Sequence, residues 1–562
     1  MQRVCKDAFY SEEFYEFLVE YGGNGEAAKE EYGSDCVVPV TYRIAILQKK
    51  QEEGAKIPYK ESALSNIPKC FGLMDQEALR EMGIQKIQQG NLDLRGYGVL
   101  IGMVDTGIDY SNPLFYYEDG SSKIVSIWDQ SIPDGPSPEH FPYGTQYDRK
   151  DIEEALRMER PQERVPSVDR DGHGTFLAGI AAGRDGIFEK IQGAAPDAEL
   201  VIVKLKEAKK NLKDFYLIPE KARAYAESDL ISGVSYLVEV AAKEKKPLVI
   251  LLGVGSSQGS HTGSLFLSQY LNTIATRRGI AVITAAGNEG NTAHHYHGKV
   301  QEMPERIELK VGREEKGFAM ELWGQGPYRL QVRLESPTGQ MTPWIDAGIR
   351  ENRRFSFLFE QTQVEVWYMA VDPYSGDQGV FFRLITPAEG IWGIWVAKEQ
   401  REEKEFDLWL PIAEFLKEDT GFLEPDPFIT ITEPGNAGNP LTVSAYDWEQ
   451  DAYALDGSRG YTRNQLIKPE LCAPGVRIYG PLLRKQTGIR SGSSVAAALV
   501  AGMAADFFQW AVSEKNEYYM TGVGLKQYLI RGAKRDREMS YPNREWGYGK
   551  ADLLEVFYRI RE

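Results

Sequence analysis

Val99-Leu100-Ile101-Gly102-Met103-Val104-Asp105-Thr106-Gly107 is the stretch whose reading decides the fold. A short apolar run without polar alternation suits a strand buried on both faces, the habit of parallel sheets. Asp105 ends that run, at the carboxyl end from which such sheets present reactive side chains. Further apolar runs at 200–203, 248–252 and 280–283 alternate with helical stretches such as 232–242. The alternation predicts an α/β fold, a parallel sheet covered by helices on both faces.

Two more motifs follow Asp105. Gly172-His173-Gly174-Thr175 runs into the small, apolar Leu177-Ala178-Gly179-Ile180-Ala181-Ala182-Gly183, so His173 is expected at the amino end of a tightly packed helix. Gly492-Ser493-Ser494-Val495-Ala496 opens another apolar helix, and Ala285-Ala286-Gly287-Asn288 ends a buried strand between the two. Asp, His, Ser is one of the chain orders in which a nucleophilic triad is found. An imidazole with an unperturbed pKa near ~6.5 suits a general base. Asp105 can orient that imidazole, while the Ser494 N–H at a helix start and the Asn288 amide can stabilise an oxyanion. The motifs together read as a serine endopeptidase that needs no cofactor. Singly, each has a commoner role: turn residue for Asp105 and Asn288, core histidine for His173, helix cap for Ser494. By chemistry alone, Ser491 and Ser493 are rival nucleophiles. A second Asp-Thr-Gly, at Asp419-Thr420-Gly421, allows an aspartic dyad, but it follows the charged Phe415-Leu416-Lys417-Glu418 and not a buried strand.

These motifs resemble the subtilisin-like serine protease family over roughly residues 75–293 and 428–562. Gly193-Ala194-Ala195-Pro196, Lys468-Pro469-Glu470, Ala473-Pro474-Gly475 and Trp546-Gly547-Tyr548-Gly549 add to the likeness. The resemblance implies a catalytic Asp105, His173 and Ser494, an oxyanion-hole Asn288, and a substrate-binding edge strand at Gly253-Val254-Gly255. Within the family, Arg95-Gly96-Tyr97-Gly98, Ile127-Trp128-Asp129-Gln130 and Gln258-Gly259-Ser260-His261 are similar to the clostridial Csp spore-germination proteases. That group includes active proteases and pseudoproteases, so a catalytically silent binding or regulatory protein is the alternative. Known members act on the precursor of a spore-cortex lytic enzyme, which implies activation of a protein precursor. Departures are Val495 where the family has Met, Ala498 where it has Pro, and Leu114 in place of an Asp ligand of the usual calcium site. No metal is therefore expected there. His294, His295 and His297 lack a helical i, i+4 spacing and read as a polar loop near the cleft.

Domain organisation follows from shifts in period. Residues 1–74 form a small α+β unit, with strands expected at 14–19 and 42–47; the family likeness makes it a prodomain. Residues 75–298 and 427–562 carry the α/β pattern. Between them, 299–426 alternate at period two at 308–311, 319–323, 329–334, 355–359, 364–368 and 406–410, the pattern of an inserted β-sandwich or jelly roll. Matching Met82-Gly83-Ile84 and Arg95-Gly96-Tyr97-Gly98 to the family's mature start sets a processing site at Met74 and Asp75, with Asp75-Gln76-Glu77 opening a helix. The expected partners are a protein or peptide substrate and the chain's own prodomain.

A net charge of −17 argues against nucleic acid or an anionic membrane as partner. No stretch reads as long and apolar enough to span a bilayer. The N-terminal residues lack the apolar core of a secretory signal, so a cytoplasmic or spore-associated protein is expected. Cys5, Cys36, Cys70 and Cys472 show no C-x-x-C spacing and are expected to be reduced thiols.

Overall fold

A computed structural model describes the 562-residue chain apart from residues 1, 22–29, 31–32, 35, 42, 51–63, 74–81, 89–91, 189–190, 327–328, 346–351, 399–402 and 562. At its centre, strand Leu100–Asp105 lies between Leu248–Leu252 and Glu199–Lys204, parallel to both, with Leu100 opposite Leu248 and Glu199. The sheet continues through Ile280–Ala285 and Leu441–Asp447 on one side and Ile124–Asp129 on the other, all parallel. Leu471–Pro474 adds a further parallel strand beside Leu441–Asp447, and Thr145–Asp148 closes the far edge antiparallel.

Alternation along the central strand explains the two layers of helices. Ile101 and Met103 point into one core with the helices His173–Ala182 and Ser493–Phe508. Leu100 and Val104 point into the other, against Glu227–Glu244 and Phe266–Ile274. Burial on both faces removes any need for polar alternation, which is why this strand reads as a continuous apolar run. The run Ser493–Ser513 corrects the expectation about membrane spans: at 21 residues and a mean hydropathy of 1.6 it is long and apolar enough to cross a bilayer. It is apolar for another reason, since 94% of its apolar window is buried inside the protein.

At the N-terminus, helix Gln2–Ala8 accompanies an antiparallel sheet in which Ile44–Lys50 lies between Phe14–Glu20 and Cys36–Pro39. Cys5 and Cys36 form a disulfide, which corrects the expectation of reduced thiols throughout; Cys472 is free and buried. Sequence spacing could not reveal the pair, because it is made by packing a helix against a strand 31 residues on.

Between the two parts of the parallel sheet stand two antiparallel sheets. Six strands, His295–Val300, Gly317–Gly324, Asn352–Phe357, Thr362–Met369, Gln378–Ile385 and Lys404–Trp409, form one sheet. Glu305–Val311, Leu330–Glu335, Gly390–Lys398 and Gly421–Phe422 form the other. Inward residues of both, among them Leu322, Val366 and Phe382 from the first and Leu309, Val332 and Trp392 from the second, share one core. The first strand begins at His295, so His295 and His297 are part of the sheet and not of a loop, whereas His294 precedes it.

Candidate active site

Asp105 lies at the end of its strand, where its Oδ1 accepts hydrogen bonds from the Thr106 N–H (2.8 Å) and from His173 Nδ1 (2.7 Å). His173 is the first residue of its helix, entered through Gly172 at φ +89°, a left-handed conformation that favours glycine. The helix start sits hard against the aspartate turn: a β-carbon on Gly174 would come within 2.2 Å of the Gly107 carbonyl. Across the ring, His173 Nε2 is 3.2 Å from Ser494 Oγ. All three residues are buried, at 2%, 1% and 0% exposure.

The two rival serines are otherwise engaged. Ser493 Oγ accepts the Gly287 N–H at 3.0 Å, and Ser491 Oγ accepts the Arg477 N–H at 3.1 Å. Asn288 Oδ1 takes the Ser493 N–H at 3.0 Å, which turns the amide nitrogen to the other side. Val495 and Ala498 are fully buried, and the helix runs unbroken from Ser493 to Phe508 with its positive end at Ser494. The second Asp-Thr-Gly forms no dyad with the first: Asp105 is taken by His173, whereas Gly421–Phe422 pairs with Glu305–Val311 in the inserted sheets.

The family model of the subtilases matches residues 96–305 and 426–549, more than half of the chain and both sides of the inserted sheets. The chain belongs to the subtilase family. That family is one of serine endopeptidases. A solved structure of the CspB protease of Clostridium perfringens superposes with a TM-score of 0.77 at 31% identity, covering 85% of this chain and 96% of that one. Thermitase of Thermoactinomyces vulgaris is 27% identical over 219 residues, 39% of this chain and 58% of thermitase. Subtilisin of Bacillus sp. (strain TA39) is 23% identical over 269 residues, 45% of this chain and 52% of that protein. The chain thus spans just over half the length of these two curated relatives.

In this subtilase, Val254–Gly255 does not stand as a free edge. The chain's own strand Cys70–Leu73 pairs with it antiparallel, Leu73 opposite Val254 and Gly72 opposite Gly255. On its other side Cys70 and Phe71 pair with Ala226 and Tyr225. Gly253 is the next residue along, and a β-carbon there would lie 3.2 Å from His173 Cε1 and 3.3 Å from Asp105 Oδ2. Met74 and Asp75 lie outside the described residues.

Several contributors escaped the sequence reading. Tyr225–Ala226, which pairs with the other side of Cys70–Leu73, is too short to register as a strand. Asp169 fixes the start of the histidine helix: Oδ1 accepts the N–H groups of Asp171 and Gly172, and Oδ2 accepts the Thr175 N–H and hydroxyl. Thr106 Oγ1 accepts the Gly174 N–H, lacing the aspartate turn to the same helix. An Asp shortly before a helical run is a capping signal, and that pattern could have drawn attention to Asp169.

The histidine-rich strand serves Asp407. His295 Nε2 (3.1 Å) and His297 Nδ1 (2.8 Å) both contact its Oδ1, while Arg463 meets its Oδ2 at 3.2 Å. Burial opposes ionisation of Asp407, but the hydrogen bonds from His295 and His297 and the neighbouring Arg463 charge hold it below the usual carboxylate range. The hydrogen bond to Asp407 pushes His297 upward in turn, against partial burial. His294 contacts Glu289 instead, at 3.1 Å.

Proposed function

We propose that this subtilase is a serine endopeptidase that cuts its own N-terminal prodomain and then activates a protein precursor in spore germination. The observation that carries the catalytic reading is the pair of contacts of His173, 2.7 Å to Asp105 and 3.2 Å to Ser494. Ser494 Oγ attacks the scissile carbonyl carbon as its proton passes to His173 Nε2, and Asp105 holds the imidazolium through Nδ1–H. The oxyanion receives hydrogen bonds from the Ser494 N–H and the Asn288 amide. Collapse breaks the C–N bond, the His173 proton goes to the leaving amine, and water then hydrolyses the acyl-enzyme through the same histidine.

Self-processing is supported by the seating of Cys70–Leu73 between the two groove edges as an added strand. Leu73 is in register with Val254, one residue short of Gly253 beside His173, which favours the Met74-Asp75 bond as the cut. A prodomain held by these pairings after the cut acts as an inhibitor. The role in germination and the spore-associated location extend from the likeness to the Csp proteases, and the jelly-roll description of residues 299–426 from their period-two alternation.

A serine-directed fluorophosphonate tests the catalytic core. Labelling of Ser494 in the wild type and none in Ser494→Ala supports it; an unlabelled, uncut wild type supports the alternative of a silent binding protein.

A further inference from the structure

We propose that this subtilase prefers acidic residues just after the scissile bond, selected by a basic hairpin that immediately precedes Ser494. The inference deepens the endopeptidase reading and rests on it. The hairpin pairs Ile478–Pro481 with Thr487–Arg490 antiparallel, so its second strand ends four residues before the nucleophile. It is seated on the histidine helix: a β-carbon on Gly480 would meet the Phe176 ring at 2.3 Å, and one on Gly179 would meet Pro481 at 2.2 Å. Both its tip and its base reach the residue before His173, since a β-carbon on Gly172 would meet Leu483 Cγ and Arg490 Nη2 at 3.1 Å each.

Direction along the groove follows from the bound strand. Cys70–Leu73 occupies the side before the scissile bond, between Tyr225–Ala226 and Val254–Gly255. A substrate that continues past His173 and Ser494 leaves those edges behind. The hairpin pairs with neither of them: it packs on the helix that starts at His173 and leads by chain into Ser494.

Charge sorts the candidates. Arg484 and Lys485 are exposed at the tip, directly after Leu483, and Arg170 is exposed two residues before Gly172. None of the three has an ion-pair partner among the described residues. The nearby acids are committed elsewhere: Asp171 is paired with Arg223, Asp169 with the helix start, and Asp447 and Glu449 with Arg477. Arg490 is engaged with the same turn, donating to the Asp171 carbonyl at 3.2 Å and pairing with its carboxylate at 4.0 Å. On a chain of net charge −17, the exposed cations Arg170, Arg484 and Lys485, carried by the segments that adjoin His173 and Ser494, favour an acidic peptide there. The chain carries such a peptide: Asp75-Gln76-Glu77 follows the proposed cut, with two acids in three residues.

Three peptides test this on the full-length protein. Each carries Lys-Cys-Phe-Gly-Leu-Met before the bond and Asp-Gln-Glu, Ala-Gln-Ala or Lys-Gln-Lys after it. We expect kcat/KM for the acidic peptide to exceed that for the basic one about tenfold, the sum of a few partly exposed ion pairs, and the gap to shrink with rising salt. Arg484 and Lys485 both sit at φ +58°, which Asp and Asn tolerate, so Arg484→Asp with Lys485→Asp is the reversal and Arg484→Asn with Lys485→Asn the neutral companion. The acidic-to-basic ratio should fall below one in the first and near one in the second. Equal cleavage of all three peptides by the wild type, or a ratio that both variants leave unchanged, overturns the proposal and leaves the endopeptidase standing. Failure to cut any of the three overturns both.

Discussion

The side-chain oxygen of Asn288 accepts a hydrogen bond from the main-chain N–H of Ser493, 3.0 Å away. Ser493 therefore orients the amide of Asn288 and turns its N–H₂ group away from that contact, as the proposed oxyanion role requires. Asn288→Asp keeps the acceptor and loses the donor. Its kcat, and that of Asn288→Ala, should fall roughly 10²–10³-fold with little change in KM, because the contact forms only as charge develops. Steady-state kinetics on one peptide would check this; a rise in KM at constant kcat would contradict the assignment.

Ser494→Ala should lower peptide hydrolysis by on the order of 10⁶-fold while leaving the circular dichroism spectrum unchanged. Purified wild type should also run as two fragments cut near Met74-Asp75, and Ser494→Ala as one chain. Mass spectrometry of both distinguishes self-cutting from an outside protease, which would cut them equally.

The Asp407 cluster predicts how stability depends on pH. His297 is raised by its hydrogen bond to Asp407, so it binds its proton more tightly folded than unfolded. Its contribution is complete below the unfolded value of about 6.5 and is lost as pH rises through the higher folded value. Asp407 has the opposite sign: it is lowered, so its contribution is present above its unfolded value and is lost as pH falls through the folded one. The Tm difference between wild type and His297→Gln should thus be largest on the acid side of about pH 6.5 and fade above it. A difference that grows with rising pH would show the pairing to be assigned the wrong way.

Alkylation of the unfolded, unreduced protein should leave Cys5 and Cys36 unlabelled and label Cys472. Labelling of all of them without a reductant would restore the reading of free thiols.

The features legible in the amino-acid sequence are those that leave a local pattern. The apolar run ending at Asp105 is buried on both faces by helices, so its lack of alternation was itself the signal. His173 and Ser494 were visible because each opens a helix of small residues that packs closely. The period-two runs show as strands such as Glu305–Val311 and Thr362–Met369 for the same local reason. Where local pattern and burial diverge, the reading went astray: Ser493–Ser513 is apolar because protein surrounds it, and His295 begins a strand because it pairs with Trp409, far along the chain.

Composition and motif order by themselves determined the parallel α/β sheet and the candidate Asp105, His173 and Ser494, since burial and helix starts leave local marks in the chain. Only the tertiary structure decided which serine meets the imidazole, that Asp169 fixes the histidine helix, that Cys5 bonds Cys36, and that Cys70–Leu73 lies between Val254–Gly255 and Tyr225–Ala226. Those facts are distances between residues remote in sequence, 321 apart for His173 and Ser494, and no local preference encodes a distance of that kind.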